Sequence, residues 1–495
     1  MLDRGTMLLA LVMGAGKTVV SLAAIEALHD EGDVERCLVV VPASLKYQWL
    51  REVAKFTDAR AIIISGDAAT RAKQWRQSTN YRYVIVNPES LINDQRKIGH
   101  FDAIILDEAS YYKNRTVKRT KMIKRIGKTI PFRFALTGQP IENRPEELFS
   151  IMEFVDKSVL GDFKTFDEAF IVRNSWGKPL RYRNLNVLFK AMRECMIRKT
   201  QEDIADQLPQ IIRTTIPVAF DAKGAATYRR ISADLLNQIT QAIKKGGGFN
   251  LWAHYNGGDD NEAQGQIMAR LTVLRMLCDN PALVTQSAAD FDDDDVAAGS
   301  QYAHDIVQAG WMNGLTAAPK LQACIEFIEE ALEENPNTKI VLFSFFKRNL
   351  EMIKKAVAPV TDSVLFMGGM TDKARDEAKQ KFANDPKCRL FLSSDAGGYG
   401  VDLPFANVLI SYDLPWSSGK LEQREARIIR LSSIWPHVQL VTFVMAGSIE
   451  ERQQAMLQEK KSINEAWIDG KHHDKENSVT LSAETLTQFL GESTV

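Results

Sequence analysis

The plainest chemistry in the chain is carried by five consecutive residues, Gly14-Ala15-Gly16-Lys17-Thr18, which break an apolar run that then resumes at helical spacing. Two glycines let the backbone curl so that its N–H groups face one anion, and the helix that follows presents its positive end to the same point. Lys17 adds a mobile point charge suited to β and γ phosphates, and the Thr18 hydroxyl is placed to ligate magnesium. The strict phosphate-loop pattern has glycine at position 11, where this chain has Leu11. A second pair follows an apolar stretch: Asp107-Glu108, directly after Ala103–Leu106. A carboxylate at a strand tip facing the phosphate loop can hold magnesium, which makes Asp107 the metal ligand. A second carboxylate beside it can orient or deprotonate water, which makes Glu108 the base. Acidic residues also favour a helix start, which is the plainer use of such a pair.

Three further groups have weaker signals. Thr137-Gly138, followed by Gln139-Pro140, suits a γ-phosphate sensor and reads equally well as a turn. Arg427 and Arg430 lie three apart, which predicts two guanidinium groups on one helix face; alone, that pattern also describes a solvated face. Residues 113–128 hold eight lysines or arginines and no carboxylate, with Val117, Met122, Ile123 and Ile126 interleaved. That is an amphipathic helix whose charged face, Lys118, Arg119 and Lys121 in particular, suits phosphate backbones or plain solvent.

The elements that must position these residues are legible as alternating strands and helices. Strands are expected at Met7–Val12, Leu38–Val41, Ala61–Ile64, Tyr83–Val86, Ala103–Leu106 and Phe134–Leu136, and again at Ile340–Phe343, Val364–Phe366, Leu390–Leu392, Val408–Ser411 and Leu440–Phe443. Such alternation implies parallel sheets covered on both faces, with ligands beyond the carboxyl ends of the strands. The fold class is therefore α/β, as two lobes: a first lobe over 1–213, a helical insertion and acidic linker over 214–318, a second lobe over 319–470 and a polar tail over 471–495. The run Asp290 to Asp295 reads as a mobile linker, with occupation of a basic cleft as the sharper alternative. A base-reading segment normally precedes a strand like Met7–Val12, so the first lobe is expected to lack its N-terminal part.

Composition narrows the class. At 495 residues, with 45% hydrophobic and 25% charged residues, the chain is long enough for two to four ordinary globular domains. Its apolar stretches are too short or too interrupted to span a membrane, and the expected location is the cytoplasm of a bacterium or of a virus's host. The five cysteines show no zinc or disulfide spacing. With a net charge of −1, nucleic-acid contact must come from local patches.

The motifs "MGAGKT", "VVVPASLKYQWLREVAKF", "IILDEASYYKN", "FALTGQPIENRPEELFSIMEFV", "LFLSSDAGGYGVDLPFANVLISYDLPW" and "QREARIIRLSS" together resemble, in order, the Swi/Snf-type helicase-related ATPases of helicase superfamily two. The resemblance implies two RecA-like lobes with ATP and Mg2+ between them and double-stranded DNA across both. It implies that Arg427 and Arg430 act as arginine fingers and that Gln423, in the same motif, contacts nucleotide. It also places Gly398 in a segment linking DNA to nucleotide, and Asp402 beside an arginine or the ribose. Trp416 resembles the family's aromatic at that place and is equally suited to a core.

Three departures from the family pattern stand out: Ser110 replaces a histidine, Gln139 a threonine, and Leu11-Val12 an acidic pair. They bear on coupling rather than phosphate transfer. The implied activity is an ATP-dependent translocase on duplex DNA, monomeric, that remodels bound protein. A strand-separating DNA or RNA helicase and a non-hydrolysing DNA clamp are the alternatives.

Overall fold

The computed structural model describes residues 1–12, 14–138, 140–141, 145–173, 179–244, 262–292, 299–395 and 401–468. Cys37–Val40 (β2), Tyr83–Val86 (β4) and Ala103–Leu106 (β5) are buried at every position. Strands without polar alternation need cover on both faces, which a parallel sheet with crossover helices supplies. With β1 (Thr6–Leu11), β3 (Ala61–Ile63), β6 (Phe132–Thr137) and β9 (Met196–Lys199) they form a seven-stranded sheet in the order β3-β4-β2-β5-β6-β1-β9. Every pairing in it is parallel. One face packs through Leu8, Leu38, Val84 and Ile104, the other through Leu9, Val39, Ile85 and Ile105. All strands point the same way, so the segments after β1, β2, β5 and β6 gather at one edge. A two-stranded antiparallel ribbon, β7 (Ile171–Arg173) with β8 (Pro179–Tyr182), lies between β6 and β9 in the chain.

The second sheet contains β10 (Gln210–Val218), β11 (Ile340–Phe343), β12 (Asp362–Phe366), β13 (Cys388–Ser393), β14 (Val408–Ser411) and β15 (His437–Met445) in the order β10-β15-β14-β11-β13-β12. It too is parallel throughout. Residues 210–213, grouped by sequence with the first lobe, thus belong to the second sheet. β10 is an edge strand that alternates exposed and half-buried positions, so it offers no apolar run to recognise. The helices Ala222–Lys244, Glu262–Asp279, Pro281–Phe291 and Gln301–Gln308 share a core with this sheet, with Ile231, Leu235, Leu271 and Leu274 in one cluster with Ile340, Leu342 and Ile410.

Two charged features of this lobe are fixed by partners. Asp290 closes the helix Pro281–Phe291 and pairs with Arg348, and Asp292 meets His304 at 2.7 Å. The start of the acidic run is therefore docked on its own lobe, while residues 293–298 lie outside the described residues, as do 246–248, 257–260 and the tail from 471. Deeper in, Lys320 reaches Asp279 at 2.9 Å and Glu450 at 2.6 Å, and all three are buried. Tyr412 donates to the Asp279 carbonyl oxygen at 2.7 Å, and the Met445 N–H donates to the second Glu450 oxygen at 2.9 Å.

Candidate active site

β1 runs fully buried to Leu11, and the chain then turns through Gly14 (φ 85°) and Gly16 (φ 78°) into α1 (Lys17–Asp30). Those left-handed angles are what glycine supplies cheaply, and they leave the amino end of α1 open toward the turn. No acidic side chain sits in its first turn. Lys17 Nζ donates to the carbonyl oxygens of Leu11 at 3.0 Å and Val12 at 3.4 Å. Desolvation holds its ammonium below the ordinary lysine range, the carboxylates of Glu108 and Asp107 oppose that shift, and Arg430 and Arg427 add to it. Four of the charged groups singled out from sequence therefore act on the fifth, Lys17.

β6 separates β1 from β5 in the sheet and brings Thr137 opposite Ala10. Asp107 and Glu108 follow β5, and both are buried. One Asp107 oxygen accepts from the Trp49 indole N–H at 2.8 Å, the other from the Glu108 N–H at 2.8 Å. Burial pushes the Asp107 carboxyl up from its ordinary range, against the indole and Lys17. Glu108 itself sits at φ 49°, ψ 55°. A left-handed glutamate is uncommon, and such strain accumulates where a side chain must be aimed. Ser110 lies in the turn Ala109–Tyr112 that follows.

The second sheet supplies the opposite wall. Arg424 donates to Asp395 at 2.6 Å and to the Asp413 carbonyl oxygen at 2.5 Å, while Asp413 also accepts from Ser344 Oγ at 2.6 Å. These bonds tie together segments after β11, β13 and β14. Arg427 and Arg430 do not share a helix face, contrary to the sequence expectation, because the helix Ser418–Glu425 ends before them. Arg427 and Ile428 bond back three residues, to Arg424 and Glu425, in the tighter turn that follows the helix. Arg427 is buried with Nη1 3.5 Å from the Val401 carbonyl oxygen; Arg430 pairs with Asp402. Of the two roles open to Asp402, the structure pairs it with an arginine.

The walls touch. A Cβ built at Gly14 would lie 3.3 Å from both the Ile429 carbonyl oxygen and Arg430 Cδ. Gln48, on α2 (Lys46–Phe56), donates to Asp402 at 3.4 Å, which also crosses between lobes. Lys17, Thr18, Asp107, Glu108, Arg427 and Arg430 are thereby gathered around one cleft, with Gln423 half-buried on the adjoining helix.

Other candidates fare differently. Trp416 is buried in the second-lobe core with Arg275 over its ring at 5.7 Å, so its ring is not presented to a ligand. Gly398 and Gln139 lie outside the described residues. In the basic helix Lys118–Gly127 and the turn before it, Arg115 and Lys124 pair with Glu153 at 2.8 and 2.6 Å, and Lys113 faces Glu147 at 3.8 Å. Arg119 donates to the Tyr111 carbonyl oxygen at 2.9 Å, while Lys118 and Lys121 are exposed. Trp49 and Gln48 are site residues that sequence reading missed. Only the spacing of Trp49 from Val53, which marks the inward side of α2, pointed to burial.

The chain matches the SNF2-related domain over residues 3–283 and the helicase conserved C-terminal domain over residues 319–432. With more than half of its length in the first match, the protein belongs to the SNF2-related family. It is 27% identical over 462 residues to an uncharacterised ATP-dependent helicase of Mycoplasma genitalium, covering 92% of this chain and 40% of that protein. It is 25% identical over 494 residues to DNA repair and recombination protein RAD54B of Homo sapiens, covering 93% and 52%. The chain thus spans about half or less of the length of these two relatives. The helicase domain of Pyrococcus furiosus Hef shares the fold, with a TM-score of 0.54 at 14% identity over 91% of this chain and 95% of that one. Among the described residues, no helix is long and apolar enough to cross a membrane.

Proposed function

We propose that this protein hydrolyses ATP in the cleft between its two sheets and uses the turnover to move along double-stranded DNA and displace bound protein. The observation that carries the reading is the contact of Arg430 and Ile429 with Gly14, which sets the second-lobe arginines against the phosphate loop of the first. Lys17 and the loop N–H groups bind the phosphates, and Lys17 leaves the Leu11 and Val12 carbonyls to do so. Glu108 accepts the proton of the attacking water as the new oxygen–phosphorus bond forms and the bond to ADP breaks. Arg427 and Arg430 stabilise the charge on the transferring group, which in related phosphoryl-transfer sites is worth about 10³–10⁵ in rate.

The donor set fits magnesium. Asp107 uses one lone pair on each oxygen for Trp49 and Glu108, which leaves acceptor capacity, and Thr18 lies in the first turn of the helix at the loop. Those two residues would hold the ion, which supplies neutralisation of the β- and γ-phosphate oxygens.

Family membership and a relative named for DNA repair and recombination support duplex DNA as the track. Lys118, Arg119 and Lys121 are the proposed backbone contacts, and a monomer in the cytoplasm is the proposed working state. The test is ATPase rate against added duplex DNA, single-stranded DNA and RNA, with displacement of a third strand compared with unwinding of a tailed duplex. Duplex stimulation with third-strand displacement is expected. Unwinding of the tailed duplex would replace translocation by strand separation, and nucleotide binding without turnover under any polymer would leave a clamp.

A further inference from the structure

The Trp49 indole is 1% exposed and could have satisfied its single N–H with a backbone carbonyl, the commonest acceptor in a core. It instead donates at 2.8 Å to one oxygen of the buried Asp107 carboxylate. The other oxygen takes the Glu108 N–H, also at 2.8 Å. A carboxylate at a strand tip is otherwise free to turn about its last torsion, which is broad. Two fixed donors on different oxygens, one from a helix and one from the backbone, remove that freedom. Trp49 is held in turn by α2, whose inward side is Lys46, Trp49 and Val53. The next residue outward, Gln48, touches Asp402, the partner of Arg430.

We infer that Trp49 is a positioning residue: its indole N–H orients the Asp107 carboxylate for the magnesium ion that accompanies ATP. The inference rests on the reading of Asp107 as a metal ligand. Partners one bond removed from a metal typically change metal affinity by about 10- to 100-fold when lost.

The test uses the full chain with ADP and Mn2+ as an electron-spin-resonance probe, beside ADP binding in chelator. Trp49→Phe keeps a ring and loses the donor; it should weaken Mn2+ binding to the ADP-loaded protein by about tenfold and leave metal-free ADP affinity unchanged. Trp49→His, which returns a ring N–H, should recover part of that loss. In an Asp107→Asn background, Trp49→Phe should add nothing further. Unchanged Mn2+ affinity in Trp49→Phe, an equal loss of metal-free ADP binding, or full additivity with Asp107→Asn would overturn the assignment of Trp49. Unchanged Mn2+ affinity in Asp107→Asn would overturn the ligand assignment itself, which separates the two failures. Should the Trp49 variants not fold, the indole N–H resonances of the wild-type protein decide: Mg2+ added to the ADP complex should shift a solvent-protected one, and no shift in any would overturn the inference.

Discussion

In the cleft, Lys17 rests its ammonium on the carbonyl oxygens of Leu11 and Val12, whereas in the second lobe Lys320 lies between two carboxylates, Asp279 and Glu450. Burial depresses Lys17, and the two arginines across the cleft depress it further. Lys320 is fully buried, yet Asp279 and Glu450 outweigh that desolvation and hold its charge. Burial drives the Asp279 carboxyl well above the usual carboxylate range, against the opposing pull of Lys320. In one cluster the ammonium is bonded to carboxylates; in the other it rests on two backbone carbonyl oxygens, with Asp107 and Glu108 near and Arg430 paired with Asp402. An ammonium bonded to buried carboxylates serves packing, whereas one bonded only to backbone carbonyls can be given up to a polyanionic substrate.

That contrast can be broken by exchanging the consequences. Glu108→Gln should lower kcat by about 10³-fold while thermal stability and nucleotide affinity stay near wild type; steady-state ATPase with a melting curve checks it, and a matching loss of stability would erase the distinction. Lys320→Met should do the reverse. Stranding two buried carboxylates costs about 3–5 kcal/mol of stability, read by denaturant unfolding, with kcat near normal well below the melting point. Gly14→Ala tests the contact between lobes. A left-handed angle costs a Cβ about 1–2 kcal/mol, and here the methyl also presses on Ile429 and Arg430. ATPase should fall about tenfold with little change in the separate melting of either lobe. The smallest effect is expected from Lys118, Arg119 and Lys121 changed together to alanine: basal ATPase unaltered, duplex affinity lower, and the slope of log affinity against log salt shallower by about two to three.

Sequence made the cleft's first wall legible because each piece is local. Gly14 to Thr18 is one turn, Asp107-Glu108 one strand tip, and unbroken apolar runs announce β2, β4, β5 and β11. What escaped depended on neighbours distant in the chain. β9 and β10 are edge strands with exposed positions, so neither shows a core pattern. Trp49 meets Asp107 across 58 positions, and Glu147 and Glu153 neutralise part of a patch that looked uniformly basic from within its own stretch. Arg427 and Arg430 carry the right spacing for one helix face, but the helix has already ended at Glu425, which nothing in the local sequence announces. Asp402 had two readings in sequence, and only its partner in space chose between them.

The polypeptide leaves the edge of the first sheet at Lys199 and enters the edge of the second at Gln210. A stretch of about ten residues reaches at most about 35 Å when fully drawn out. If the halves separate during the proposed turnover, the guanidinium groups stay on a short leash beside the cradle, at an effective local concentration that two separate molecules would match only at very high dose. Lengthening that leash with flexible residues would therefore slow each re-engagement while leaving every bond inside either half as it was.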